Sequence, residues 1–169
     1  MNWNCKSRAM AACSLSLGLV GLLGGCDAQK MENMEVGVTP EAQVRAQWGT
    51  PDATYTEADG AQVLAFSRQP AGQKNYMIVI GTDGKLRAIR QVLTADNFGK
   101  VAKGMSPAAL TQLLGKPAQV RKYDLKPDEE TWEWRWLDGN ESKVFSATFG
   151  ADGKVVSSGS VADKAKDPS

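Results

Sequence analysis

The stretch GMSPAALTQLLGKP, residues 104–117, decides the fold because a near copy of it, GVTPEAQVRAQWGTP, occupies residues 37–51. Each copy has a Thr or Ser before a proline, then a helical pattern, then Gly-x-Pro. The side chains of Thr39 and Ser106 can cap a helix, and a proline fits its first position. Gly49 and Gly115 suit the left-handed residue that ends a helix. The sequence therefore predicts two related units, each containing a helix of this kind.

The two predicted helices each carry an apolar stripe. Val44 and Trp48 form it in the first copy, and Leu110, Leu113 and Leu114 form it in the second. Apolar residues at this spacing lie on one side of a helix. We expect both stripes to pack on a sheet.

Strand patterns follow each helix. Leu64 and Phe66 alternate with small residues in the first unit, and Trp132, Trp134 and Trp136 alternate with charged residues in the second. A period of two places each set on one face of a sheet. Tryptophans are enriched at protein interfaces, but buried aromatics also dominate core energetics. We expect the three tryptophans to pack on the helix leucines.

The remaining local signals complete two similar units. Gly-x-Asp-Gly-Lys at residues 81–85 and 150–154 predicts two hairpin turns, because glycine tolerates the positive φ of such turns. Further expectations are short strands at 53–57 and 118–123, a short helix at 95–101, loops at 69–74 and 126–130, and a turn at 138–141. The fold class is therefore α+β, with two tandem helix-helix-strand-strand-strand units, 35–94 and 95–162. We expect one continuous antiparallel sheet with the helices on one face, followed by a polar tail, 163–169.

The N-terminus has the composition of a secretory signal peptide. Residues 1–8 are positive, residues 9–23 are small and apolar, and two glycines precede Cys26. A transmembrane helix needs about 20 predominantly apolar residues, which this segment does not have. The sequence LGGC, residues 23–26, resembles the bacterial lipobox. That resemblance implies cleavage before Cys26, acyl chains on its sulfur and amine, and a lipidated tether over residues 26–34.

Composition narrows the chemistry of the predicted mature chain. Without Lys6 and Arg8, the 20 Lys and Arg residues become 18, against 19 Asp and Glu. The net charge of the mature chain is therefore close to zero, and it gives no electrostatic reason to expect nucleic-acid binding. The chain has no His, and removal of Cys5 and Cys13 leaves only the acylated Cys26. The usual acid–base pairs and nucleophiles are therefore missing. We expect no enzyme activity, cofactor, metal or small-molecule substrate.

The second unit resembles the SmpA/OmlA small-lipoprotein family, which is BamE-like. The resemblance lies in GMSP at 104–107, the helix to Leu114, GKP at 115–117 and the WEW strand at 132–134. It implies a protein-binding scaffold for an envelope partner such as the outer-membrane β-barrel assembly machinery. Tandem copies of such a fold also resemble the secreted β-lactamase-inhibitor proteins. That second resemblance implies an alternative function as a periplasmic inhibitor of a hydrolase.

The candidate partner-binding residues lie on the sheet face opposite the tryptophans. They are Glu133 and Arg135, together with Ser146 and Thr148 if the register of the next strand holds. For the lipid anchor we expect the inner leaflet of the outer membrane, facing the periplasm. The inner membrane is the alternative location. An Asp directly after the acylated cysteine, here Asp27, favours retention in the inner membrane in enteric-type sorting.

Overall fold

A computed structural model describes residues 26–164 of the chain. The predicted signal peptide, 1–25, and residues 165–169 of the predicted tail lie outside the described residues. The helices are α1 (Cys26–Glu32), α2 (Glu41–Trp48), α3 (Ala95–Phe98) and α4 (Pro107–Leu114). The strands are β1 (Ala53–Thr56), β2 (Gln62–Ser67), β3 (Asn75–Ile80), β4 (Leu86–Gln91), β5 (Gln119–Tyr123), β6 (Lys126–Asp138), β7 (Glu141–Phe149) and β8 (Val155–Ala162).

The strands form two separate antiparallel sheets of four strands each. The first sheet has the order β1-β2-β3-β4 and the second has the order β5-β6-β7-β8, so each strand pairs with its neighbours along the chain. The α+β class is therefore confirmed. The expectation of one continuous sheet is wrong, because α3 and α4 separate β4 from β5 and no strand pairing joins the two sheets within residues 26–164.

The second repeated helix has the predicted ends. The Ser106 hydroxyl accepts a hydrogen bond of 3.2 Å from the Ala109 amide, and Pro107 opens α4. Gly115 ends the helix with a φ of +75°. These contacts satisfy free backbone groups at both ends of the helix.

The first repeated helix begins differently from the expectation. The Thr39 hydroxyl accepts from the Glu35 amide at 2.8 Å and makes no cap for α2, whose cap position is held by Pro40. Pro40 also pairs with Lys85 in an isolated β-bridge. The prediction of a Thr39 cap is therefore wrong, because Thr39 belongs to a turn joined to the β3–β4 hairpin.

Two aromatic-rich cores hold the helices on the sheets. In the first, Val44 and Trp48 of α2 are buried, and the Trp48 ring lies 5.4 Å from Phe66 and 5.1 Å from Tyr76. In the second, the helix leucines pack with the tryptophans as predicted. Its members are Leu93, Phe98, Leu110, Leu114, Trp134, Trp136, Phe145, Ala147, Phe149 and Val155, with Val101, Met105, Leu113 and Trp132 packed against them.

The first sheet is also buried on the face that α2 does not cover. Its buried residues there are Ala61, Val63, Ala65, Met77, Val79 and Val92. A cavity of about 440 Å³ beside this face is lined by Val63 and Met77 and also by Gln112 and Leu113 of α4. Helices of the chain thus approach both faces of the first sheet. The first sheet therefore differs from the expectation that helices pack on a single face.

Two further segments differ from the expectations. Residues 126–130, expected as a loop, belong to β6, where Glu130 pairs with Lys122 of β5. The expectation of a loop was wrong because β5 and β6 form an exposed hairpin here. The charged residues that indicated a loop remain at the surface of that hairpin. Asp163, expected in the polar tail, is buried and lies 2.9 Å from Arg135.

Candidate protein-binding surface

The four predicted partner-binding residues lie on one face of the second sheet. Glu133 of β6 is directly opposite Ser146 of β7, and Thr131 is opposite Thr148. Because side chains alternate along a strand, Arg135 shares this face with Glu133. We call the face of β6 and β7 that carries these residues the outer face. All four predicted residues are half-buried.

The polar groups of the outer face are largely engaged with one another. The Arg121 guanidinium donates to Glu133 at 3.0 Å, and the hydroxyls of Thr131 and Thr148 lie 3.1 Å apart. The hydrogen bond from Arg121 to Glu133 raises the pKa of Arg121. Exposed ion pairs of this kind contribute little to stability, so a partner could exchange them at low cost.

Arg135 is held by contacts within its own chain. Its Nε donates to the buried carboxylate of Asp163 at 2.9 Å, and its Nη1 donates to the carbonyl of Pro70 at 3.2 Å. Arg135 thereby links the second sheet both to the segment after β8 and to the loop between β2 and β3. These contacts give it a structural role that the sequence pattern did not indicate.

The loop between β2 and β3 docks on the edge of β6. The Gln69 side-chain amide donates to the Arg135 carbonyl at 2.7 Å and accepts from its backbone amide at 3.2 Å. Gln73 donates to the Trp136 carbonyl at 3.3 Å. Since β5 begins opposite Glu133, it has no residue opposite Arg135, and the Gln69 amide bonds β6 beyond the β5 pairing. Buried backbone groups need such partners.

Asn75 makes the second junction between the two units. Its side-chain amide donates to the carbonyls of Leu114 and Lys116, at 2.8 and 3.0 Å, and so satisfies the end of α4. Asn75 is buried at the start of an otherwise apolar strand, NYMIVI. That isolated polar residue was the one sequence signal of the junction, and sequence reasoning missed it.

Tyr55 is one of the residues that line the cavity between the first sheet and α4. Its hydroxyl is buried and has no hydrogen-bond partner within the described residues. Burial, and then the nearby charge of Asp52, raise the pKa of Tyr55. The chemistry of this lining selects no class of ligand.

The first helix is fixed to the first sheet from its second residue onward. The Asp27 carboxylate accepts from Nε and Nη2 of Arg68, both at 2.9 Å, and Met31 packs against the first core. The segment expected as a tether therefore contains a docked helix.

The described part of the chain has neither a metal-binding cluster nor a helix that could span a membrane. Residues 26–164 hold no group of three or more Cys, Asp or Glu side chains placed to bind a metal ion. None of the helices in this range is long and apolar enough to cross a membrane.

Comparison with known proteins leaves the family open. No protein-family model matches the chain, and neither does any curated protein. The resemblance to the SmpA/OmlA family thus rests on the sequence motifs alone.

Two solved structures show limited similarity. One is described as a putative osmotically inducible lipoprotein, OsmE, with 24% identity, a TM-score of 0.37, and coverage of 42% of this chain and 75% of its own. The other is a DUF4309 family protein (YjgB) from Bacillus subtilis, with 18% identity, a TM-score of 0.31, and coverage of 80% and 86%. At TM-scores this low, neither likeness carries an argument about fold or function.

Proposed function

We propose that the chain is a lipid-anchored protein of the cell envelope that binds a partner protein through the outer face and has no catalytic activity. The anchor would be acyl chains on Cys26. Two or more such chains hold a protein stably at a membrane, because each buried methylene contributes about 0.8 kcal/mol.

The docking of α1 is the observation that carries this proposal. The helix begins at Cys26, and the ion pair of Asp27 with Arg68 fixes the next residue to the first sheet. Acyl chains on Cys26 would therefore hold the folded part of the chain one residue from the lipid. A partner protein in the same membrane would meet the outer face at high local concentration.

The finer assignments rest on the sequence resemblance. A place at the inner leaflet of the outer membrane, and a role in outer-membrane protein assembly or envelope integrity, follow from the SmpA/OmlA-like motifs. The β-barrel assembly machinery is then the first partner to test. Asp27 favours the inner membrane as the competing location.

Anchoring is tested with Cys26→Ser in the full chain, followed by fractionation of membranes. We expect the variant to lose membrane attachment. Cys13→Ser is the matched control, because it removes a cysteine from the predicted signal peptide and should leave attachment unchanged. Retention of Cys26→Ser at the parent's level would contradict lipid anchoring.

Partner binding is tested with a photoreactive residue at Ser146 in the full chain. We expect it to crosslink an envelope protein that the same residue at Asp83, in the exposed β3–β4 turn, does not capture. Identical products from both positions would contradict binding at the outer face. A hydrolase as the specific product, inhibited by the purified chain, would replace the scaffold function with the inhibitor alternative.

A further inference from the structure

A groove of about 470 Å³ runs beside α1. Helix α1, the loop between β2 and β3, strand β3 and the end of β6 all contribute to its lining. Its apolar side chains are those of Ala28, Met31, Ala71, Tyr76 and Leu137. Ligand sites in proteins have volumes of about 300–1,000 Å³ and mostly apolar linings. We call this site the α1 groove.

The polar side chains of the α1 groove are used within the chain or reach solvent. The Asp27 carboxylate accepts from the Arg68 guanidinium at 2.9 Å, and the Gln73 side-chain amide donates to the Trp136 carbonyl at 3.3 Å. Lys74 is exposed, so its ammonium can stay in water while its methylenes border the groove. The lining therefore favours a hydrocarbon occupant over one that needs charged or hydrogen-bonding partners.

Several apolar side chains of the α1 groove are exposed to solvent. Leu137 is 40% exposed, and Ala28 and Ala71 are exposed as well. Exposed apolar residues that share one groove mark a site for a ligand or a partner. Removing their surface from water is favourable, so an apolar chain that covers them would be held there.

The α1 groove adjoins the position of the proposed lipid. Helix α1 begins at Cys26, and the next two residues, Asp27 and Ala28, both line the groove. Met31 lies five residues beyond Cys26, which is about 7.5 Å along a helix. An acyl chain spans about half of a hydrocarbon core that is about 30 Å thick. A chain attached at Cys26 is therefore long enough to pass Met31.

We propose that one acyl chain carried by Cys26 lies in the α1 groove, against Met31 and Leu137. The occupant exists only if Cys26 is acylated, so this inference rests on the proposed function. The lipobox resemblance implies acyl chains on both the sulfur and the amine. Two chains hold a protein stably at a membrane, so a further one can leave the bilayer for the groove. The lipid would then join α1 to β6 of the second sheet.

Attachment favours the chain's own lipid over a free lipid of the bilayer. Entry of a chain linked to Cys26 is intramolecular and takes place at a high effective concentration. A free lipid would lose translational freedom when it bound. Its phosphate would also need a cation, and the guanidinium of Arg68 is already engaged by Asp27.

The proposal is tested with a photoreactive benzophenone residue at position 137 of the full chain in its native membrane. We expect illumination to link position 137 to the lipid-bearing N-terminal peptide, with fragmentation in a mass spectrometer placing the link on an acyl chain. The same residue at Val156 is the matched control. Val156 is 42% exposed and lies at the other end of the second sheet, so it should not reach the lipid.

Filling the groove tests the same site with a second variant. Ala71→Trp adds a large side chain at an exposed position of the lining and should reduce the link from position 137 several-fold. Ala151→Trp, in the exposed turn between β7 and β8, is the matched control and should leave the link unchanged.

The mass of the N-terminal peptide reports acylation in the same experiment, so the two proposals fail separately. An unmodified Cys26 would overturn both the anchor and the occupant of the groove. With Cys26 acylated, a link from position 137 to bulk membrane lipid or to protein alone would overturn only the groove assignment. Equal linking from positions 137 and 156, or no effect of Ala71→Trp, would do the same.

Discussion

The guanidinium of Arg68 holds the carboxylate of Asp27 by two hydrogen bonds of 2.9 Å and lies 4.9 Å from the centre of the Trp48 ring. Asp27 is the second residue of α1, and Trp48 is the last residue of α2. One cation therefore joins two helices to the end of strand β2. The position where a lipid anchor would leave the fold is thus set by a side chain that lies 41 residues further along the chain.

Replacing this cation should loosen α1 before the rest of the fold. We expect Arg68→Gln to lower the free energy of unfolding by about 1 kcal/mol, because a partly exposed ion pair and a cation–π contact are lost together. Hydrogen exchange should accelerate most in α1. Arg45→Gln is the control, since its pair with Glu41 lies within α2. Unchanged protection of α1 in Arg68→Gln would contradict this role.

The two glycines that end the repeated helices should differ in their tolerance of a side chain. Both have positive φ, +85° at Gly49 and +75° at Gly115. A Cβ at Gly49 meets nothing within 4 Å, whereas a Cβ at Gly115 would lie 2.9 Å from Nδ2 of Asn75. We expect Gly49→Ala to cost about 1 kcal/mol from backbone strain alone.

Gly115→Ala should cost about 1–3 kcal/mol more than Gly49→Ala, because Asn75 would lose its hydrogen bonds to buried carbonyls. Urea denaturation of both variants measures the difference. Equal costs at the two glycines would show that the contact with Asn75 contributes nothing.

The helix ends and hairpins could be predicted from sequence because their signals are local. Ser106, Gly115 and the two Asp-Gly turns each act on neighbouring backbone groups. The burial of both faces of the first sheet could not be predicted in this way. The small Ala65 resembles a solvent-facing residue in an alternating pattern, yet it is buried. Part of that face adjoins the other unit of the chain, whose residues Gln112 and Leu113 line the cavity beside it.

At the candidate surface, too, relationships between neighbouring strands could be predicted from sequence, and contacts between distant residues could not. Glu133 and Ser146 could be placed on one face because a short turn connects two antiparallel strands. The partners of Arg135 could not be predicted, since Gln69 and Asp163 lie 66 and 28 residues away. Hydrophobic periodicity carries no information about such pairs of distant polar residues.

The tryptophans of β6 offer a test of one buried hydrogen bond. Trp134 is fully buried, and its Nε1 donates to the Gly115 carbonyl at 3.0 Å. Trp136 is also buried, but its Nε1 has no partner within residues 26–164. Trp134→Phe should therefore destabilise the fold by about 1–2 kcal/mol more than Trp136→Phe, because only the first leaves a buried carbonyl unpaired. Thermal or urea unfolding measures the loss of stability in each variant. A larger loss in Trp136→Phe than in Trp134→Phe would contradict the prediction.

The Asp59–Arg87 pair should make stability depend on pH. The hydrogen bond from the Arg87 side chain, and then the one from the Ala61 amide, lower the pKa of Asp59. A carboxyl group with a lowered folded-state pKa stabilises the fold above its unfolded-state pKa. That contribution is lost as the pH falls through the folded-state pKa. The difference in stability between the parent and Asp59→Asn should therefore be largest near neutral pH and disappear in acid.

Arg87→Gln separates the two causes of the lowered pKa. It removes the larger cause and leaves the Ala61 amide in place, so the pKa of Asp59 should rise only part of the way to its ordinary value. An NMR titration of the Asp59 carboxyl group in both chains measures this shift. If Asp59 titrates at the same pH with and without Arg87, the cation is not the cause and the acid-dependent loss must come from another group.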